Sequence, residues 1–464
     1  MKNKFAVLLL GIFMVISLVS AGCSSSPKTT PAESPTVVPT NTPAEASDST
    51  PETAAKKLAG NLTIWAWGAD SEAQAREKAI KIFIAEHPEL KVTYSIIPTA
   101  DSAWDQKASA ALAAGTAADV MQTSPDHYGL NTRYYMDLNP YVKADGVDLN
   151  TVLTPGMLAG YYDPDGKLEG FPLQANCFCV LYNKDMFDKA GVAYPKDGWT
   201  FEGMLDWGKA FVGGKGVNQT YAMARHWVTS TVMAYAGGGT PYSSDLKTSN
   251  FGSKEMLDSL KLYQKLVQGG YMPTDAAQTS TDASTLFVSG KAAMYFAGGM
   301  DSQSTVADAK ENGVNLGVCT MPCGVSDGKE INIQFATGWS ITKTSKNPDA
   351  AWQFLKESAY ANANMAKETC NSGMPANKAV AESDFIKIAY ADPSFTNQIF
   401  VDHMGATHIF PFGGTLSSAC DSYSTMVSAV IEDNQDPAAV QTKYAPLISA
   451  AFAKLPFNSA GGGN

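Results

Sequence analysis

Charge is scarce in this 464-residue chain: 17% of residues are Asp, Glu, Lys or Arg, against about 25% in ordinary soluble domains. Positive charge is scarcer still, with 34 Lys+Arg against 45 Asp+Glu and a net charge of −11. An acidic balance of this kind lacks the electrostatic footprint of a nucleic-acid binder. Beyond the N-terminus there is no run of about 20 apolar residues, which excludes a polytopic membrane protein. Cysteine is sparse, and none of the seven falls in a Cys-x-x-Cys spacing, so the common zinc and thiol-redox spellings are missing. What is abundant is apolar and aromatic: 45% hydrophobic residues, with 8 Trp, 19 Tyr and 20 Phe, enough to build a sizeable core.

The first 58 residues read as an address. Lys2 and Lys4 precede an apolar run from Phe5 to Val19, too short for a comfortable span and ending in small residues, as a secretory signal does. Ser20-Ala21-Gly22 then meets Cys23, which resembles the lipobox of bacterial lipoproteins, although Ser20 stands where that family usually has Leu. The resemblance implies cleavage after residue 22 and acylation of Cys23; an ordinary signal peptide that happens to precede a cysteine is the plainer alternative. From Ser24 to Lys57 the chain is mostly Ser, Thr, Pro, Ala and Glu. Such a segment cannot bury enough surface to fold, and its prolines keep it extended, as a tether. The cleaved chain would carry 45 acidic and 32 basic residues, a net of −13, so electrostatic docking to a membrane is not expected. Export permits disulfides among Cys177, Cys179, Cys319, Cys323, Cys370 and Cys420, but buried free thiols, with one bridge at most, are expected.

Roughly 400 residues remain, more than one core normally serves, so two α/β domains are expected. Leu62–Trp67 alternates as a strand, and Ser71–His87 carries Ile80, Phe83, Ile84 and His87 on one helical face before Pro88. Val92–Ile97 is a second strand, completing a parallel βαβ unit. A helix from Trp104 to about Ala114 leads to a third strand at 119–121. Ligands of open α/β sheets bind beyond the carboxyl ends of the strands. The loops there, 67–70, 98–101 and 122–127, offer carboxylates, amide, hydroxyls, imidazole and indole. With no Gly-rich turn or cation for a phosphate, a neutral polyhydroxylated ligand fits this set best. Further helices are read at 183–190 before Gly191, from the Thr200 cap to 212, at 254–268 and after Asn347-Pro348.

Several segments together resemble the bacterial extracellular solute-binding proteins of family 1, the sugar-binding receptors of ABC importers related to the maltose-binding protein. The fullest is Asp165-Gly166-Lys167-Leu168-Glu169-Gly170-Phe171-Pro172 followed by Val180 to Phe187 and Gly191-Val192. Gly290–Met294, Gly338-Trp339-Ser340-Ile341 and Gly373-Met374-Pro375-Ala376 continue the match in family order. The resemblance implies a type II periplasmic-binding-protein fold: two α/β lobes joined by hinge crossings, with the ligand between them. By that analogy lobe 1 holds 59–174 and 316–357, lobe 2 holds 178–312 and 361–464, and crossings lie near Ala175-Asn176 and Asn312-Gly313. It implies a monomeric receptor on the outer face of the cell membrane that captures a carbohydrate and docks on the permease of an ABC transporter. Neither a cofactor nor a catalytic group is implied.

Sugar sites combine flat aromatics with planar hydrogen-bonding side chains. Trp199, Trp207 and Trp352 sit in or beside amphipathic helices and read as structural, and Trp65 as mid-strand core. Trp67 at a strand's carboxyl end, Trp227 before the apolar run 232–235 and Trp339 after Gly338 are the candidate ligand platforms. Met300 stands where the family often has Trp, and Asp301 is the expected polar compensation. Asp70, Gln122, Asp126, Asn176 and Arg225 complete the expected ligand-binding set, while Phe410-Pro411 replaces a basic-Pro pair of the family. Asp163-Pro164-Asp165-Gly166 has calcium-like spelling but reads as a β-turn, and His403 and His408 are five apart, which suits no helical zinc pair. A secreted glycan-acting enzyme and a same-fold receptor for a peptide or polyamine are the competing readings. Two carboxylates suffice for the first; the second would call for converging carboxylates if the ligand were a polyamine.

Overall fold

Alternation in the first strand sets the first sheet. In β1 (Gly60–Trp67) Leu62, Ile64 and Ala66 are fully buried, and α1 (Asp70–Glu86) brings Ile80 and Phe83 into the same core. β1 pairs in parallel with β2 (Leu90–Ile97) along its whole length, from Gly60↔Leu90 to Trp67↔Ile97. That makes α1 the crossover of a βαβ unit, as the local periodicity predicts. On the opposite face α2 (Ala103–Ala114) packs Trp104, Ala108 and Leu112 with Ile97 and Met121. The computed structural model describes residues 58–455, apart from residues 69, 99–102, 126–131, 164, 244–245, 279–280, 300 and 411–415 and the side chains of Asp70, Ser71, Thr132 and Ser417. Cys23, the tether, Asp126, Met300, Pro411 and the Asp70 side chain therefore lie outside the described residues.

β3 (Val120–Thr123), β4 (Phe171–Asn176), β9 (Asn332–Ile341) and β10 (Met374–Pro375) extend the first sheet to the order β10-β4-β9-β3-β1-β2, with β11 (Thr407–Ile409) also on β9. The second sheet has the order β6-β7-β5-β8, from β5 (Phe178–Asn183), β6 (Tyr221–Met223), β7 (Ala292–Gly298) and β8 (Leu316–Cys319). Both belong to one compact unit, residues 57–464. The first core joins α1 to the helix Pro348–Lys356 through an edge-on Phe83–Phe354 pair at 5.1 Å. The second gathers Val180, Phe201 and Phe296 with Tyr263, Met426 and Ile448 from the helices Lys254–Gln268, Ser417–Ile431 and Pro437–Phe452.

The helix boundaries follow capping chemistry. Asn183 accepts from Met186 N–H, and Gly191 ends that helix at φ 65°. Thr200 accepts from Gly203 N–H, although the regular helix it opens stops at Trp207 and tightens into a 3₁₀ turn through Phe211. Orphan donors at a helix start are satisfied by such side chains, which is why these positions are legible.

The lobe boundaries depart from the sequence reading in two places. Asn312-Gly313 is no crossing: it closes the helix Ser302–Glu311, and β8 returns antiparallel onto β5, so 316–319 stay in the second sheet. The chain passes between sheets later, between β8 and β9. Likewise β10 pairs antiparallel with β4, so part of 361–464 belongs with the first sheet. All six cysteines in the described region are free, and Cys177, Cys179, Cys319 and Cys323 are buried.

Candidate functional site

Strand direction decides which residues share an edge. β1, β3 and β4 all run one way, and β9 runs against β3 and β4. Trp67, Thr123 and Asn176 thus end at one edge of the first sheet, where Asn176 lies opposite Phe335 near the start of β9. In the second sheet β6 and β7 end where β5 begins, with Gly298 opposite Phe178. Only Cys177 separates β4 from β5, so the two edges abut there.

An aromatic wall marks the junction. Trp227, just past the end of β6, is 60% exposed, an unusual state for an indole among the described residues. Its ring stands 4.9 Å from Phe335 of the first sheet and 6.0 Å from Phe178 of the second. His226, buried beside it, lies 5.3 Å away. The wall therefore draws on both sheets.

Polar groups lie along the same edges. Gln122 is fully buried; its Oε1 accepts from Trp67 N–H at 3.1 Å, and its Nε2 has no protein partner. Asn176 donates from Nδ2 to the Ser372 carbonyl at 3.4 Å, and its buried Oδ1 is unpartnered. The chain approaches Asn176 closely from two sides. A Cβ on Gly299 would stand 2.7 Å from Asn176 Oδ1, and one on Gly373 3.0 Å from Nδ2, so a side chain at either position would push on the Asn176 amide. Ser124 donates to the Ala336 carbonyl at 2.8 Å, fixing the loop after β3 against β9.

Two arginines lie near these edges, and both are engaged. Arg76, 1% exposed, donates to Glu72, Gln174 and Thr337, leaving Nε unpartnered. Burial lowers its pKa and the neighbouring Glu72 carboxylate opposes that. Arg225 pairs with Asp275 and, at 2.6 Å, with Glu432. Gln278 clasps the Arg225 backbone from both its N–H and its carbonyl.

The expected ligand set is therefore redistributed. Trp227, Asn176 and Gln122 come to the junction or its edge. Trp67 is half-buried against Trp104, ring centres 5.0 Å apart, and contributes chiefly to that stack. Asp301 has both oxygens engaged, one by Gly298 N–H at 2.7 Å and one by Tyr295 OH at 2.6 Å. Trp339 is corrected outright: it is 2% exposed and packs edge-on against Phe354 at 5.1 Å, in the first core under a helix. Arg225 is corrected too, because its guanidinium is consumed by two carboxylates that sequence distance hides. Phe410 is core, against Tyr242 and Tyr423. The reading missed Phe178, Phe335, His226 and Arg76. Strand apolarity hid the two Phe, and Glu72/Arg76 at i,i+4 reads as an ordinary surface pair.

Catalytic and metal spellings resolve into structure. Gly324-Val325-Ser326-Asp327-Gly328 has a Gly-x-Ser-x-Gly spelling but is a turn between Cys323 and Glu330, not a strand-to-helix elbow, and Ser326 donates to the Gly237 carbonyl. Asp163 Oδ1 accepts from Asp165 N–H and Lys167 N–H, as a turn requires. Among the described residues no three His, Cys, Asp or Glu side chains stand together as a metal site.

The family model described as bacterial extracellular solute-binding protein matches residues 68–359. A Brucella abortus protein named as a binding protein is 28% identical over 330 residues, covering 67% of this chain and 74% of its own. The fold superposes on the sugar-binding protein MalE of Xanthomonas citri with TM-score 0.71 and 19% identity, covering 85% of this chain and 98% of that one. It also superposes on an ABC substrate-binding protein of Listeria monocytogenes in complex with cycloalternan, with TM-score 0.68 and 20% identity over 85% and 99%.

Proposed function

The chain belongs to the bacterial extracellular solute-binding protein family and has its type II periplasmic-binding-protein fold, and on that premise we propose that it is a receptor that captures a carbohydrate, an oligosaccharide, for an ABC permease. The observation that carries this reading is Trp227: a 60% exposed indole, held by Phe335 and Phe178 where the two sheets abut. An indole face suits the C–H face of a pyranose, and the amides of Asn176 and Gln122 suit its hydroxyls. Two superposing structures named for sugar or bound to one support the same ligand class. Lobe closure would follow from contacts the ligand makes in the closed state alone. The Cys23 lipid and the tether would hold the receptor at the outer face of the cell membrane, where it would act without catalysis.

Calorimetry on the mature chain tests this with three probes: maltotetraose, glycerol 3-phosphate and spermidine. Binding of maltotetraose alone supports the reading. Binding of glycerol 3-phosphate alone would transfer the site to a phosphorylated ligand, for which Arg76, with Nε unpartnered, is a candidate cationic donor. Release of reducing ends from maltotetraose would replace capture by hydrolysis. Retention of the receptor on cells, and its release to the medium by Cys23→Ala, checks the anchor.

A further inference from the structure

Asp301 was expected to touch ligand, yet its surroundings describe a different task. It follows the turn at the end of β7 and precedes the helix Ser302–Glu311. Its Oδ1 accepts from Gly298 N–H at 2.7 Å, which fixes the turn that presses on Asn176. Its Oδ2 accepts from Tyr295 OH at 2.6 Å and lies 3.6 Å from His226 Nε2. The other nitrogen of that ring, Nδ1, accepts from Val228 N–H at 3.3 Å, which leaves the proton on Nε2, facing Asp301. The His226 ring is enclosed by Phe178 at 5.5 Å, Tyr295 at 5.4 Å and Trp227 at 5.3 Å. His226 is therefore held by a hydrogen bond at Nδ1, with the Asp301 carboxylate 3.6 Å from Nε2 and three aromatic rings around it, Trp227 among them.

We propose that Asp301, Tyr295 and His226 form a positioning unit that sets the orientation of the Trp227 ring and couples it to the Gly298-Gly299 turn. Burial, and then the Asp301 charge, push the Tyr295 phenol up, so it stays a donor across the working pH range. One carboxylate thus ties together the ends of β6 and β7, the two strands that deliver Trp227 and the turn against Asn176. A free indole loses rotamer entropy on binding; an indole already held does not, and that difference appears as affinity. The functional meaning rests on the carbohydrate reading, while the geometry of the unit does not.

The test is 19F NMR of the ligand-free full chain with 5-fluorotryptophan at its eight Trp positions, the Trp227 line being assigned by its loss in Trp227→Phe. Asp301→Ala is expected to shift and narrow that line while the other seven hold, and Asp301→Asn, which keeps an acceptor for Gly298 N–H, is expected to restore it. Should Asp301→Ala fail to fold, Tyr295→Phe removes only the hydroxyl and carries the same expectation. An unmoved Trp227 line in the variants that fold overturns the proposal, as does movement of all eight together. Maltotetraose then separates the two ideas. Asp301→Ala should weaken its binding roughly fivefold in the wild-type background and less than twofold beside Trp227→Ala, the signature of coupled residues. A wild-type chain that ignores maltotetraose while its Trp227 line responds to Asp301→Ala refutes the sugar and leaves the positioning unit standing.

Discussion

Removal of the Trp227 ring should separate affinity from stability. A Trp side chain offers about 150–250 Å² for burial, and 60% of this residue faces solvent. A pyranose ring laid on one face would cover on the order of 60 Å² of that open surface, worth about 1.5 kcal/mol at 25 cal/mol/Å². Trp227→Ala is therefore expected to weaken maltotetraose binding at least tenfold, about 1.4 kcal/mol. The stability cost comes from the smaller share of the residue that lies against Phe335, Phe178 and His226, roughly 1–2 kcal/mol by the same coefficient. Trp227→Phe keeps a flat face and should lose only about threefold, about 0.65 kcal/mol.

Calorimetry gives the affinity and urea unfolding the stability of the same preparation. An unchanged Kd for Trp227→Ala would remove this ring from the site. A loss of affinity that disappears once the unfolded fraction is allowed for would also refute the argument, because the exposed face would then contribute nothing. The heat capacity of binding provides a further check: apolar burial makes it negative, and Trp227→Ala should make it less so.

Trp339→Ala is the mirror experiment. With 2% exposure and an edge-on contact to Phe354, it should cost about 3–5 kcal/mol of stability and leave Kd of the folded fraction within twofold, measured by urea unfolding and calorimetry. Arg225→Met leaves Glu432 without its cation; a buried pair broken on one side costs about 3–5 kcal/mol, less here because Asp275 is largely exposed. Its Kd should likewise hold, and a tenfold loss of affinity would return Arg225 to the ligand set. Glu169 provides a pH test. Burial, and then the neighbouring Asp163, raise its carboxyl from 4.5 to about 8. A raised folded pKa means that its contribution is fullest below the unfolded value and is lost as pH climbs toward 8. Partial solvent access scales the loss to on the order of 2 kcal/mol. Glu169→Gln should flatten the stability profile between pH 5 and 8, and an unchanged slope would refute the assignment.

The parts of the fold legible in the sequence are those decided within one turn or one strand. Leu62, Ile64 and Ala66 alternate, α1 repeats at helical spacing, and Asn183, Thr200 and Ser253 cap the helices that follow them. The sheet that β8 and β10 join was not legible, because strands of four and two residues carry no signal for a distant partner, whereas the equally short β3 follows directly on the βαβ unit it extends. Their sheet is chosen by a partner far along the chain, β5 for one and β4 for the other. That is why the second crossing was placed too early.

The same distinction explains the site. Trp227 and Trp339 stand level as candidate platforms in the sequence, Trp339 after Gly338 in a matching segment and Trp227 before the apolar run 232–235. They part only in three dimensions: Trp339 packs against the ring of Phe354 in the core, whereas Trp227 stands past a strand end beside Phe335 and is 60% exposed. Arg225 looked available until Glu432, 207 residues on, took it up. Low charge, the scarcity first noticed, now has a local counterpart. The two arginines near the junction are neutralised from within, and Asp301 is already engaged by Tyr295 and Gly298. Besides Arg76 Nε, the unpartnered groups of the candidate residues there, Gln122 Nε2 and Asn176 Oδ1, are neutral, one a donor and one an acceptor. A ligand hydroxyl can answer either; a phosphate can answer only the first. Gln122→Leu and Asn176→Leu should therefore weaken maltotetraose by comparable factors of roughly five- to tenfold, the range of one lost neutral hydrogen bond. A site that loses affinity with Gln122→Leu alone would be reading an anion.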